Sequence, residues 1–249
     1  MGLPLLKDWS EFGRLRLDDA CAWSAMYERQ MRVFVQGARD RFGISHFILI
    51  NGLNFIFELI GAMETYTSLM ETPDMVREAM ELGFRLNLSV QKRFFDAVPL
   101  LAGGTCGLQV QWVPGRILAE SVDPFHMTSV ACFEEWGRAI SERMFAMFDG
   151  GVTHIHGNGR HLLEPVHTLS GLKAIILGDD IGFPPAIEIL SDLRKRIGDI
   201  PLVVNVRFGV FEERLKRRDL PGGVLYIVES APGVDEANKL MDTVRAYRT

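Results

Sequence analysis

Hydrophobic residues follow two patterns of spacing along the chain. In the stretch 20–42 they recur every three or four positions, and the stretch ends at Gly43, which predicts an amphipathic helix with a glycine stop. Later in the chain, short apolar runs are each followed by polar residues. This is the pattern of strands buried on both faces of a parallel sheet, and the runs are 46–50, 151–155, 173–177, 201–205 and 224–228.

A sixth strand is predicted over 107–112, where residues alternate and place Gln109 and Gln111 on one face. Helical patterns fill the intervals between strands. The clearest start is Thr72, a capping residue followed by Pro73 at the first helical position. The other predicted helices are 55–63, 65–70, 133–148, 161–169, 184–196 and 234–247.

The alternation of strands and helices predicts an α/β fold with right-handed crossovers. A length of 249 residues suits one TIM-like (β/α) barrel domain, with a helical segment 1–43 before the barrel elements of 44–249. A full barrel needs eight strands, and six are predicted. An incomplete barrel, or one completed by irregular segments or by a partner chain, is therefore an open alternative. Because a short barrel exposes strand edges, we expect a homodimer.

Composition and charge narrow the function classes. A net charge of −5 and a pI near 5.7 exclude a basic footprint for nucleic acid, and 47% hydrophobic residues allow a large core. Three widely spaced cysteines fit neither a disulfide framework nor a zinc ribbon, so a reducing cytoplasm is expected. The apolar run 46–60 is broken by polar residues, and no leader peptide is seen at the N-terminus, so no membrane association is expected.

Candidate chemistry concentrates at the end of the strand at 151–155. Side chains alternate along a strand, so His154 and His156 point the same way and form a possible pair of metal ligands. Glu229, at the end of the last strand, is the candidate third ligand for Zn²⁺ or a similar ion. The alternative is that the histidines line a pocket without metal, since polar ends of barrel strands usually face the cleft.

Other strand ends carry further candidates, each with a structural alternative. Asp179 is the candidate catalytic residue, either as a base or as the partner of a histidine ligand, whereas Asp180 is favoured as a helix cap. Arg207 is a candidate for a substrate carboxylate, and a surface salt bridge is the alternative. The remaining substrate-binding candidates are Asn51, Gln109, Gln111, Asn158 and Asn205.

Several stretches resemble the uroporphyrinogen decarboxylase-like superfamily, which includes corrinoid- and thiol-dependent methyltransferases such as the cobalamin/coenzyme M enzymes. The similar stretches are METPDMVRE at 70–78, WVPGRI at 112–117, HIHGN at 154–158 and LSGLKAI at 169–175. The resemblance covers most of the chain at low similarity. It implies a TIM-type barrel with an active-site cleft at the carboxyl ends of the strands.

The sequence departs from the family in two places. No arginine- and glycine-rich tetrapyrrole-binding segment precedes residue 40, so the barrel is expected to be shortened at the N-terminus. The zinc methyltransferases carry His-x-Cys and a second cysteine near the last strand, whereas this chain has His156 and then Glu229 and Ser230. Thiolate ligation is lost, and imidazole and carboxylate ligation is retained as a possibility.

Three functions follow from this resemblance. The first is a methyltransferase whose metal activates a thiol or another methyl acceptor, with a corrinoid as substrate or a corrinoid protein as partner. The second is a decarboxylase of a tetrapyrrole or small carboxylate, with Arg207 holding the carboxylate. The third is a binding protein that kept the barrel without its chemistry.

Overall fold

A computed structural model of the chain describes residues 4–18, 20–39, 41–107 and 111–247. The strands are β1 Ser45–His46, β2 Gly104–Gly107, β3 Val113–Pro114, β4 Leu118–Ser121, β5 Gly151–Ile155, β6 Leu172–Leu177, β7 Leu202–Arg207 and β8 Val224–Glu229. The helices are α1 Ala22–Ala38, α2 Leu53–Ile60, α3 Ala62–Glu71, α4 Pro73–Ala97, α5 Val130–Trp136, α6 Arg138–Ala146, α7 Leu163–His167, α8 Leu190–Ile197, α9 Phe208–Arg217 and α10 Val234–Ala246. Short 3-10 turns span Trp9–Arg14, Asp123–Met127 and Gly157–Leu162.

The main sheet has five parallel strands in the order β4-β5-β6-β7-β8, so each strand lies beside the one that precedes it in the chain. A smaller sheet has the order β1-β2-β3. One parallel bridge, Leu49 with Glu120, joins the two, and the Leu49 N–H donates to the Ala119 carbonyl at 2.8 Å. Among the described residues no pairing links β8 back to the smaller sheet, and the α/β architecture is that of an open parallel sheet with helices.

The two faces of the main sheet are packed differently. One face carries the large core shared with the helices, including Ile155, Ile175 and Val204. The opposite face carries a small apolar cluster of short side chains, in which Ala119, Val152 and Ala174 are level with one another in the strand register. His154 lies two residues after Val152 on this less crowded face. The sheet therefore presents His154 on the side that helices do not fill.

Four of the predicted strands are confirmed to within one or two residues, namely β5, β6, β7 and β8. The predicted strand at 46–50 is mostly wrong, since regular pairing is limited to β1 and the Leu49 bridge and Phe47 is 71% exposed. β4 was not predicted. It is only four residues long and contains a charged residue, so it lacks the continuous apolar run that indicated the others.

The predicted strand at 107–112 is also displaced. β2 ends at Gly107, and residues 108–110, with Gln109 among them, lie outside the described part of the chain. Gln111 has a left-handed backbone with φ of 61°, and Trp112 lies outside any strand, with its indole N–H donating to the Leu101 carbonyl at 2.7 Å. β2 and β3 pair antiparallel, so the chain direction in β3 is opposite to that in β2.

Helix bounds differ from the predictions where the backbone changes direction. α1 ends at Ala38 with Arg39 in the left-handed region, ahead of the predicted stop at Gly43. The predicted helix at 133–148 is two helices, α5 and α6, that meet at Gly137. A Cβ on Gly137 would lie 2.6 Å from the Phe133 ring, so this junction requires glycine. The helix predicted from residue 184 begins later, at Leu190. No helix within the described ranges has the length and apolar character to cross a membrane.

Candidate metal centre

Asp123, His154 and His156 come together at the carboxyl end of the parallel sheet. Asp123 Oδ1 lies 3.8 Å from His154 Nδ1 and 3.8 Å from His156 Nε2. The two imidazole rings are packed edge to face with centroids 4.4 Å apart. The three ligand atoms all lie within 4.8 Å of one another, which makes this trio a candidate cation site in the described part of the chain.

The fold explains why these three residues meet. His154 is level with Ser121 in the register between β4 and β5, and Asp123 begins the 3-10 turn two residues after Ser121. His156 follows the last residue of β5 on the same side as His154. Carboxyl ends of adjacent parallel strands share one edge of a sheet, so both strands deliver polar residues to one place.

A fourth residue, Asp180, anchors His156 from the next strand end. Its Oδ1 lies 2.9 Å from His156 Nδ1, and its Oδ2 accepts a 2.6 Å hydrogen bond from the Gly157 backbone N–H. The strand end between them must be small, since a Cβ on Gly178 would lie 3.0 Å from His154 Nε2 and 3.2 Å from His156 Nδ1. The glycine therefore leaves room for both imidazoles.

His126 lies beside the trio but is almost completely buried. Its side chain is 3% exposed, with Nδ1 3.7 Å from Asp123 Oδ1. Nε2 has no hydrogen-bond partner within the described ranges. The ring packs so closely on Gly159 that a Cβ there would lie 2.1 Å from the His126 Cδ2. The sequence assigns His126 no role, because an isolated histidine in a loop carries no ligand spacing.

Asp123 and His126 both have lowered pKa values, although burial acts on the two groups in opposite directions. Burial alone would raise the pKa of Asp123, but the His154 and Ser121 side chains and the nearby His126 and His156 lower this pKa to about 2. Burial lowers the pKa of His126 to about 4, against the opposing effect of Asp123. Near neutral pH the site therefore contains a carboxylate and a neutral His126, the forms in which these groups donate lone pairs.

Glu229 does not join this group. It is exposed at the end of β8 and is paired in register with Arg207 of β7. β8 lies three strands from β5, a separation of roughly 14 Å along the sheet at the usual strand spacing. The predicted third ligand is thus corrected by the geometry: the carboxylate beside the two histidines is that of Asp123.

Asp179 and Asp180 follow β6, and their contacts differ from those predicted. Asp179 Oδ1 accepts a 2.7 Å hydrogen bond from the Ala186 N–H and lies 3.3 Å from Arg160 Nη2. It therefore holds the 179–186 loop closed. Asp180, predicted as a cap, is the residue on His156. The prediction of a histidine-orienting aspartate was placed one residue too early, because sequence alone does not show which side chain turns inward.

The substrate-binding candidates are scattered around the sheet end. Asn51 is buried and donates from Nδ2 to Glu120 Oε1 at 2.9 Å, on the helix-facing side of β4. Asn205 is half-buried and Arg207 is exposed; both follow Val203 on the open face of β7, as predicted. Asn158 and Gln111 are exposed. Ile155, Leu177 and Val204 are level in the strand register, so His156 on β5 and Asn205 on β7 each follow a residue at the same level.

The trio fits a divalent metal of the transition series. A tetrahedral site with bonds near 2.1 Å places ligand atoms about 3.4 Å apart. The separations from Asp123 Oδ1 are both 3.8 Å, and all three ligand atoms lie within 4.8 Å of one another, so binding an ion would draw them together by up to about 1.4 Å. Two imidazoles and one carboxylate leave coordination positions open, and this donor set suits Zn²⁺, Fe²⁺ or Co²⁺.

A wider groove lies elsewhere, between α1 and α4, with a volume of about 650 Å³. It is lined by charged side chains of both signs, including Glu28, Arg32 and Asp96. Arg93 in this groove is paired with Glu28. Chemistry in parallel α/β folds occurs at the carboxyl ends of the strands, so the candidate site is the trio of Asp123, His154 and His156 and not this groove.

Comparisons with known proteins support the fold. The chain is similar in structure to a methyltransferase from Methanosarcina mazei, with a TM-score of 0.63 and 13% sequence identity; the match covers 99% of this chain and 71% of that one. No family model matches the chain, and no curated protein sequence matches it. At 13% identity the similarity establishes a shared α/β fold and leaves the activity to be argued from the site.

Proposed function

We propose that this protein is a metal-assisted methyltransferase related to the uroporphyrinogen decarboxylase-like enzymes, built on an incomplete TIM-like barrel. The observation that carries the proposal is the group of Asp123, His154 and His156 at the carboxyl ends of β4 and β5. The fold similarity to a methyltransferase supports it. We further propose that Asp123 takes the ligand position first assigned to Glu229.

The chemistry requires a methyl acceptor that becomes nucleophilic. Asp123, His154 and His156 would hold a Zn²⁺ or similar ion, and such an ion would supply Lewis-acid chemistry that lowers the pKa of a thiol acceptor. The thiol proton leaves to water, since the His156 and Asp123 side chains are 37% and 45% exposed. The sulfur then forms the bond to the methyl carbon, and a corrinoid donor keeps the electron pair of the broken cobalt–carbon bond.

The residues of the chain supply position and charge for this step. His154 is held by β5 with only 11% of its side chain exposed, so its ring has little freedom. His156 and Asp123 face solvent and border the side from which a substrate enters. We infer that Arg207 binds an anionic group on the acceptor; its exposure at the end of β7, with Asn205 on the same face, supports this role.

The proposal is tested by metal content and by methyl transfer. Protein purified without chelator is expected to hold about one equivalent of metal per chain by plasma mass spectrometry. His156→Ala should lose most of this metal and the transfer of methyl from methylcobalamin to a thiol, followed by the visible spectrum. His167→Ala is the matched control, because that histidine is half-buried, lies outside the trio and has its Nδ1 beside the Glu164 carbonyl. Wild-type protein with no more than trace metal would refute the proposal.

A further inference from the structure

Asp180 engages both of its carboxylate oxygens at the proposed metal centre. Oδ1 lies 2.9 Å from His156 Nδ1, and Oδ2 accepts the Gly157 N–H at 2.6 Å. One end of this carboxylate is thus tied to the backbone that follows β5, and the other end is tied to an imidazole. A side chain fixed at two points has little freedom to rotate and can hold its partner in one orientation.

The contact also decides which nitrogen of His156 carries the proton. An ionised carboxylate only accepts hydrogen bonds, so Nδ1 is the donor in this contact, and a ring that carries one proton has it there. Nε2 then presents its lone pair, and Nε2 is the atom that lies 3.8 Å from Asp123 Oδ1. The imidazole is therefore set in the tautomer that donates toward the cluster.

We propose that Asp180 is the positioning residue of the metal centre, fixing the tautomer and orientation of His156 so that Nε2 binds the ion. This inference rests on the proposed function for the identity of the centre. In this proposal Asp180 contacts neither the substrate nor the metal and acts only through His156. Loss of such an outer carboxylate partner typically weakens metal affinity about 10- to 100-fold.

The neighbouring Asp179 is a matched control. It belongs to the same loop and is also about one-third exposed, but it accepts from the Ala186 N–H and pairs with Arg160, and within the described residues it has no hydrogen bond or ion pair with either histidine. A loss that comes only from loosening the 179–186 loop should therefore appear in Asp179→Ala. A loss that comes from the His156 contact should appear in Asp180→Ala alone.

The first experiment titrates Co²⁺ into the full chain and follows its visible ligand-field bands. We expect Asp180→Ala to raise the Kd for Co²⁺ about 10- to 100-fold and to change the band pattern, with Asp179→Ala close to wild type. Asp180→Asn keeps one acceptor and should lie between. Equal Kd values and spectra for wild type and Asp180→Ala would overturn the inference. So would parallel losses in both alanine variants that follow their loss of thermal stability.

The second experiment separates this inference from the proposed function. Nitrogen-15 NMR of metal-free protein reports which His156 nitrogen is protonated. We expect protonation at Nδ1 in wild type and in Asp179→Ala, and a mixture of tautomers in Asp180→Ala. An unchanged tautomer in Asp180→Ala would overturn the role of Asp180. Wild-type protein with the expected tautomer and no Co²⁺ bands would instead contradict the proposed metal function.

Discussion

Glu120 is a buried carboxyl whose desolvation makes the free energy of unfolding depend on pH. It lies on β4, faces the helices, and is 3% exposed. Its Oε1 accepts from Asn51, while Oε2, Asn51 Oδ1 and the neighbouring Thr153 Oγ1 have no partner within the described ranges. Burial is the main effect and raises the pKa of Glu120 to about 7, although the Asn51 hydrogen bond lowers it.

This shift predicts a pH-dependent free energy of unfolding. A carboxyl whose pKa is raised in the folded state gives its full stabilisation below its unfolded pKa of 4.5, and loses it as the pH rises through about 7. The loss amounts to about 3 kcal/mol. Glu120→Gln should abolish this part of the pH dependence in urea unfolding between about pH 5 and pH 8. Glu71→Gln, at an exposed position, should leave the slope unchanged; equal slopes in all three proteins would contradict the prediction.

At the scale of an element, the junction of α5 and α6 depends on close packing around Gly137. Gly137 lies against two aromatic rings, and an added Cβ would be 2.6 Å from Phe133 and 3.0 Å from Phe125. Phe125 belongs to the 3-10 turn that begins with Asp123. Packing at this junction therefore supports the segment that carries the carboxylate of the site.

Two glycine-to-alanine changes should act with opposite signs. Gly137→Ala is expected to lower the free energy of unfolding by about 1–3 kcal/mol, because the close-packed rings must move. Gly37→Ala, within α1, meets nothing within 4 Å and should raise stability by up to about 1 kcal/mol through helix propensity. Chemical denaturation measures both. A neutral Gly137→Ala would show that the aromatic cluster can relax.

The elements that could be predicted were those with continuous apolar runs. β5 to β8 are nearly unbroken in hydrophobicity, and so their strand ends and the shared face of His154 and His156 follow from the sequence. β4 is short and carries Glu120, so it gave no such signal. Asp123 follows β4 directly, and the third residue of the trio was missed together with its strand. Pairing between distant segments decides such positions, and periodicity does not report it.

The whole molecule presents an unpaired strand edge. β8 pairs with β7 on one side, and within the described part of the chain no strand pairs with its other side. Leu225 on this strand is 37% exposed. β8 is apolar apart from its last residue, Glu229, and has no proline, and such an edge strand is a template for pairing with another chain.

We therefore predict a homodimer that uses the β8 edge. Light scattering at micromolar concentration should give twice the mass of 28.0 kDa. Leu225→Lys should shift the protein toward the monomer, because a charge on an edge strand opposes pairing. Val234→Lys on α10, at a position that is 77% exposed, should leave the mass unchanged. A wild-type monomer would contradict the prediction.

The strands of the main sheet lie in chain order, and this order determines when the residues of the site are synthesised. Asp123, His154, His156 and Asp180 all lie between residues 123 and 180, on β4, β5 and β6 and the turns that follow them. During synthesis the chain emerges from its N-terminus, and folding of such local strand pairs can begin before the end is made. The residues of the proposed metal centre therefore precede β7 and β8 in the order of synthesis. An early ion would then act as a nucleus on which the later strands assemble.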